Sequence, residues 1–354
     1  MFLTDQWYVA AWSEDVGEAP LGRTILGESL VFYRLGDGTP VALANRCPHR
    51  NLPLSEANRL GDTLQCAYHG LEFGPDGVCG HVPGQDEVPD WARVRAYPVV
   101  ERDRWVFVWM GAAAAADPAT VPDYHRRMVD PDWHFVTGQK LVNAGYRLVL
   151  DNLLDLSHLS YVHASTTGSP EVAETADIIT EAEGDFVRVT RWMAGIPPAP
   201  AFIFYTGRQD PIDRWQVSQY IVPSYIDINN GSTAAGEGVA QDARPSERGR
   251  WGFVVHHAMT PETETTTHQF WAVGGENRLI DADKRATFDE AMHGVIDEDM
   301  VVYEAQQRSI DLDPDAVGRD ANSKGTLRID EGLLAMRRII RRLYGDEQKR
   351  HEAA

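Results

Sequence analysis

Basic residues are scarce in this chain: 33 lysines and arginines stand against 53 aspartates and glutamates in 354 residues, a formal net charge of −20. A nucleic-acid binder needs a basic stripe to neutralise phosphates, so that class is excluded. The acidity keeps the chain soluble and suits a basic partner equally well. Cysteine is scarcer still, at three. So few, and an odd number, cannot form a disulfide framework; they point to metal ligation or free thiols. No run approaches the roughly 18 apolar residues of a membrane span. The opening MFLTDQWYVAAW lacks a basic segment and carries Asp5, so it does not read as a signal peptide. A GxGxxG dinucleotide fingerprint is also missing. These absences leave a cytoplasmic protein with neither nucleic acid nor membrane as partner.

What is present suits two domains, because a single core stops growing near about 250–300 residues. Up to about residue 110 short β-rich runs such as TILGESLVFYRL, TPVALANRC and RWVFVWMG alternate with Gly, Pro and Asp. GAAAAADPATVPD (111–123) reads as a linker. Beyond it come the strand-like WHFVTGQKLV, a helix from Tyr146 to about Tyr161, and strands near 184–194, 215–223 and 250–273. TPETET within the last of these marks a hairpin tip. Helices near 283–308 and 330–346 follow, and 234–248 and the last few residues are the candidates for disorder.

Two segments carry chemistry in the first domain. Cys47-Pro48-His49 and Cys66-Ala67-Tyr68-His69 lie sixteen residues apart, each after a strand-like run. Two thiolates on one iron and two neutral imidazoles on the other make a Rieske [2Fe-2S] centre, for which each arm must supply one ligand of each kind. Structural zinc also accepts Cys₂His₂, but usually pairs like with like in each arm. Here both arms are mixed. Cys79 has no partner at useful spacing and reads as a buried thiol.

The second constellation is DNLLDLSHLSYVH, residues 151–163. On a continuous helix Asp151, Asp155 and His158 share a face, while His163 lies about 140° from His158. The helix must therefore end or distort near Ser160 for both histidines to hold one metal. Two histidines and a carboxylate form the facial triad of non-haem Fe(II) oxygenases. A missing acid can be sought on the apolar stripe of the later helix. Asp299 falls on the stripe of Phe288, Met292, Val295, Val302 and Gln306; Glu298 sits beside it as the alternative. An acid on an apolar face is costly unless paired or metal-bound. Either histidine alone would more often be structural.

Together, Cys-x-His, sixteen residues, Cys-x-x-His, and then Asp151, Asp155, His158 and His163 resemble the Rieske non-haem iron oxygenases over nearly the whole chain. WYVAAW, CPHRNLPLS, CAYHGLEF, YPVVERD and DNLLDLSHLSYVH resemble the aromatic O-demethylase branch. The resemblance implies an α+β protein: a β-rich Rieske domain over 1–112 and a catalytic domain over 123–354, in which a curved antiparallel sheet grips a long helix. It implies a [2Fe-2S] cluster on Cys47, His49, Cys66 and His69 and Fe(II) on His158, His163 and Asp299. A head-to-tail homotrimer is expected, with Asp155 bridging His69 of one copy and His158 of the next. Asn152 would lie near the iron. His257 would contact a substrate carboxylate, although a lone hairpin histidine is equally well structural, and His256 faces the other side of the strand.

The implied activity is O-demethylation of a methoxylated aromatic acid such as vanillate with O₂, releasing formaldehyde. Its electrons come from NADH through a separate reductase carrying flavin and [2Fe-2S]. Ring hydroxylation, N-demethylation and side-chain oxidation are the alternatives within the class. A plain Rieske electron carrier and a zinc-stabilised ligand-binding module are the alternatives outside it. Trp215, Tyr220 and Phe253 are candidates for the pocket wall.

Overall fold

The computed structural model describes residues 1–237, 251–313 and 327–353. They divide into two compact units, Met1–Asp123 with Thr260–Thr263, and Tyr124–Met259 with Glu264–Ala354.

The first unit is built of short antiparallel strands: β1 (Trp7–Trp12), β2 (Leu21–Ile25), β3 (Glu28–Arg34), β4 (Pro40–Ala44), β5 (Asn58–Leu60), β6 (Thr63–Gln65), β7 (Glu72–Phe73), β8 (Cys79–His81), β9 (Ala96–Tyr97), β10 (Val99–Arg102) and β11 (Trp105–Trp109). They form sheets of order β1-β11-β10, β2-β3-β4-β9 and β5-β6-β7-β8. One core cluster gathers Val31, Leu43, Leu64 and Phe73 around all three cysteines. Cys79 is buried there and donates to the His81 carbonyl at 3.2 Å, as expected of an inert thiol. Segment 111–123 does not hang free. Trp7 Nε1 donates to the Asp117 carbonyl at 3.0 Å and Arg102 Nη1 to that of Val121 at 2.7 Å, so it is held against the first unit.

The second unit is a seven-stranded antiparallel sheet of β12 (Trp133–Val142), β13 (Asp177–Glu183), β14 (Phe186–Ile196), β15 (Ile212–Ile221), β16 (Tyr225–Ala234), β17 (Trp251–Pro261) and β18 (Thr267–Glu276), in the order β12-β18-β17-β16-β15-β14-β13. Its helices are α1 (Tyr146–Leu154), α2 (Pro170–Glu174), α3 (Pro200–Thr206), α4 (Ala282–Leu312) and α5 (Glu331–Ala353). The α+β architecture is the expected one, and TPETET is the β17–β18 turn.

Several local expectations change. The helix from Tyr146 stops at Leu154, where Asp155 turns extended (φ −97°, ψ 93°), and a 3-10 turn covers Leu156–Ser160. Asp151, Asp155 and His158 therefore do not share a helix face. Asp151 instead pairs with Arg337 of α5. The buried stripe of α4 is Phe288, Met292, Ile296, Asp299, Tyr303 and Gln307, one residue round from Val295, Val302 and Gln306. α5 continues through the residues expected as a tail. Residues 238–248 of the expected loop lie outside the described ones.

α4 is fastened along its length. Asp281 caps it by accepting from Lys284 N, Asp289 meets His134 at 2.8 Å, Glu304 accepts from Asn143 N at 3.0 Å and Gln307 from Gly145 N at 2.9 Å. Tyr303 donates to Gln269 at 2.6 Å. These ties fix the rotation of α4, and so the direction in which buried Asp299 points.

Candidate functional site

In the first unit the two cysteine loops close in the same way. Cys47 N donates to the Leu52 carbonyl and Asn51 N to that of Cys47, each at 2.9 Å; Cys66 N donates to Leu71 at 2.8 Å and Gly70 N to Cys66 at 2.9 Å. The fifth residue of each loop takes a left-handed conformation, Asn51 at φ 62° and Gly70 at φ 75°. Both thiols are buried, whereas the His49 and His69 rings are exposed with centroids 4.5 Å apart. Burial pushes the Cys47 thiol up, as expected of one that becomes a thiolate only on binding metal. His69 lies below the ordinary imidazole value through desolvation and the neighbouring His49 and Arg50, so it stays neutral as a ligand must. Among the described residues, the group whose donor atoms converge tightly enough for one ion is elsewhere. Two thiols and two imidazoles spread over paired loops fit a two-iron cluster better than a single zinc.

That convergent group is His158, His163 and Asp299, with ligand atoms all within 4.8 Å of one another. The break at Asp155 creates it. Asp155 Oδ1 accepts from Ser157 N at 3.0 Å and Ser157 Oγ at 2.5 Å, capping the 3-10 turn that carries His158. His158 Nδ1 donates to the Asp155 carbonyl at 2.5 Å, leaving Nε2 3.5 Å from Asp299 Oδ1. His163 Nδ1 donates to Glu298 Oε2 at 2.6 Å, and its Nε2 lies 3.1 Å from Asp299 Oδ1. Each imidazole is thus held through Nδ1 by an oxygen and turns Nε2 inward, the usual support of a metal-binding histidine. Adjacent acids divide the work: Asp299 converges with the histidines, while Glu298 orients His163. Asn152 Nδ2 reaches Asp299 at 3.4 Å.

Gly168 fixes the loop beyond His163. Its N–H donates to the His163 carbonyl at 2.9 Å, and a Cβ there would lie 1.8 Å from the Leu159 carbonyl oxygen. No other residue fits.

Electrostatics agree with the donor set. Burial alone would raise Asp299, but His163, His158 and Asn152 outweigh it and hold the carboxyl below its usual range. Burial lowers His158 despite Asp299. In His163 burial also lowers, yet Asp299 and Glu298 prevail and raise it.

The triad forms the floor of a cavity walled by Leu153, Ile228, Phe253, Val255, Met292 and Ile296. Of the aromatic candidates only Phe253 lines it. Trp215 stacks on Trp192, and Tyr220 donates to the Pro223 carbonyl. Sequence reasoning missed Gln216 and Asn230, which face one another across β15 and β16 and line the cavity. Both amide atoms of Gln216, Oδ1 of Asn230 and Nδ1 of His257 are buried without a partner. Such groups cost about 1–3 kcal/mol each until something answers them. His256, by contrast, meets Asp227 at 2.8 Å.

Burial holds His257 down to about 4, and Asp299 only partly offsets it. The folded chain therefore refuses a proton that the unfolded chain takes up below about 6.5. Stability is unaffected above that value and is lost as pH falls from about 6.5 towards 4, by about 3 kcal/mol in all. In urea titrations the stability gap between the native chain and His257→Gln should shift by about 2 kcal/mol in favour of the variant between pH 7 and pH 5. An unchanged gap would place a charged histidine in the fold.

Comparison with known proteins bears on both halves. The Rieske [2Fe-2S] domain model matches residues 6–98, and the vanillate O-demethylase oxygenase C-terminal domain model matches 142–345. The chain is 36% identical to the toluene-4-sulfonate monooxygenase system iron-sulfur subunit of Comamonas testosteroni, covering 89% of this chain and 91% of that one. It is also 36% identical to a vanillate O-demethylase oxygenase subunit from Pseudomonas sp., covering 100% and 98%. The crystal structure of dicamba monooxygenase bound to 3,6-dichlorosalicylic acid superposes with a TM-score of 0.85 at 32% identity, covering 100% and 99%.

Proposed function

Since the chain belongs to the Rieske non-haem iron oxygenases, as an oxygenase component of the aromatic O-demethylase and monooxygenase type, we propose that it O-demethylates a methoxylated aromatic acid such as vanillate. The observation that carries this reading is the convergence of His158, His163 and Asp299 on the floor of an apolar cavity with three unanswered polar side chains. Apolar walls suit an aromatic ring, and a few fixed polar groups set its orientation.

We assign the [2Fe-2S] cluster to Cys47, His49, Cys66 and His69, and the mononuclear Fe(II) to His158, His163 and Asp299. When bound, the cluster supplies single electrons and the iron supplies dioxygen activation. The protein's part is placement. Leu153, Phe253 and Met292 exclude water from the ring, and Gln216, Asn230 and neutral His257 hold its polar substituents. Glu298 and the Asp155 carbonyl keep the imidazoles aimed. NADH electrons arrive through a separate reductase carrying flavin and [2Fe-2S]. The exposed edges of His49 and His69 suit delivery in a head-to-tail homotrimer, with Asp155 linking His158 to His69 of a second copy.

The test is formaldehyde release from a panel of methoxybenzoates led by vanillate, with NADH and a compatible reductase. One formaldehyde per NADH from any member is the expected result. Brown protein that oxidises NADH without formaldehyde would sink demethylation. It would favour monooxygenation of an aromatic sulfonate, the reading that the equally similar Comamonas testosteroni relative, a toluene-4-sulfonate monooxygenase subunit, supports.

A further inference from the structure

Arg214 on β15 is 0% exposed, yet it has no acid partner among the described residues. Nη2 donates to the Thr167 carbonyl at 2.7 Å, and the guanidinium carbon sits 4.6 Å over the Phe202 ring. Nε and Nη1 are buried without acceptors, and no carboxylate among the described residues lies within ion-pair reach. The acid whose charge bears on it, Glu171 of α2, acts only at a distance. Burial pulls the guanidinium down to about 9, so it remains a cation at neutral pH. A buried, unpaired cation is destabilising, and an apolar residue of its length there would usually be neutral or better. Packing alone does not explain the residue.

Its position supplies a use. Two residues along β15 lies Gln216, on the same face of the strand and in the cavity wall. Thr167, which accepts the Arg214 hydrogen bond, also lines the cavity, and Phe202 packs on the lining Phe253 with centroids 6.2 Å apart. Among the described residues, the cavity wall contains no lysine or arginine, and its histidine away from the triad, His257, is neutral. Arg214 is therefore a buried positive charge beside the cavity with no carboxylate in reach among the described residues, unlike buried Arg191, whose Nη2 lies 3.4 Å from Asp155, and its charge adds to that of the Fe(II) assigned to the triad. The Thr167 carbonyl ties the guanidinium to that wall at 2.7 Å, and a charge in a buried setting acts more strongly than it would in bulk water.

We propose that Arg214 is the anion-selecting residue of this cavity, favouring aryl carboxylates or sulfonates over neutral rings of the same shape. The inference rests on the cavity being the substrate site and deepens that reading: it names charge as the selected property and a residue outside the wall as the selector.

The test is calorimetric binding to the iron-loaded protein, which does not depend on turnover. The probes are 3-methoxybenzoate, 3-methoxybenzenesulfonate and the neutral 3-methoxybenzamide. The native protein should prefer an anion to the amide by at least about tenfold, and whichever anion gains more identifies the acid group. Arg214→Met should weaken anion binding by about 10- to 100-fold while holding the amide within about twofold, and Arg214→Lys should restore part of the loss. Equal weakening of anion and amide, or no change in either, would make Arg214 a structural stacking residue and overturn the proposal. Lack of an anion preference in the native protein would overturn it without any variant. Formaldehyde release is scored separately, so an anion preference without formaldehyde would retain Arg214 and reject demethylation.

Discussion

Replacing Asp299 with alanine should abolish turnover, by at least about 10³-fold, while leaving the visible spectrum of the Rieske cluster unchanged. The two metal assignments lie in separate units, so loss of one should not touch the other. Asp299 is 4% exposed and is the acid whose oxygen meets both His158 Nε2 and His163 Nε2. Without it, two neutral histidines remain and the set no longer supplies a carboxylate, which a hard ferrous ion favours. Iron analysis should show the mononuclear iron lost and the two cluster irons kept. Glu298→Gln makes the contrast. That side chain touches His163 through Nδ1 alone, so its loss should weaken iron binding by about 10- to 100-fold and leave measurable activity at saturating iron. If Glu298→Gln emptied the site and Asp299→Ala retained iron and turnover, the two acids would have been assigned in reverse.

That ambiguity was legible in the sequence only because Asp299 breaks an apolar stripe. The stripe pointed to Asp299, the acid that the structure brings together with both histidines, although its flanking members were one residue off. Val302 and Val295 are as apolar as residues beside them, but Tyr303 and Ile296 are the buried ones. Phenol and amide groups can be buried once partnered, as Tyr303 is by Gln269. The break at Asp155 was misplaced because DNLLDLSHLS contains no Gly or Pro; the helix ends through capping by an internal aspartate, which composition does not reveal. Strand β16 went unread because YIDINNGSTA has the polarity of a loop. The cavity polar groups were hidden for a related reason. In WQVSQYI, Trp215 and Val217 alternate with Gln216 and Ser218, which normally means apolar inward and polar to solvent. Here Gln216 faces a cavity and Ser218 donates to the Leu153 carbonyl, while Trp215 and Val217 pack with Trp192 on the other face. Alternation gives two faces without saying which one meets water. The cysteine and histidine arms were legible because ligand chemistry fixes residue type and spacing together.

Asp155→Asn should leave both iron sites loaded and substrate binding intact, yet lower kcat by about 100-fold or more. The substitution keeps the shape of the side chain. Asn Oδ1 can still accept from Ser157 N and Oγ, so the turn carrying His158 stays capped, and the carbonyl that holds His158 Nδ1 is unchanged. What goes is the negative charge. That carboxylate is the one whose Oδ1 lies 3.4 Å from buried Arg191, and its side chain is 23% exposed, enough to meet a second protein surface. If Asp155 links His158 to His69 of another copy, a neutral amide interrupts the link; it also deprives buried Arg191 of this carboxylate, which costs stability but leaves the His158 support in place. The decisive readout is a single turnover of protein reduced beforehand at the cluster. With the aspartate, the reduced spectrum should decay on adding substrate and oxygen; with asparagine, it should persist. Ser157→Ala separates this from a capping role, since it removes one cap interaction, costs about 1 kcal/mol of stability and should leave the decay fast. Normal decay in Asp155→Asn would remove Asp155 from the electron path and leave it as the cap of the 3-10 turn. A slow decay in both variants would assign the defect to the displaced His158 instead.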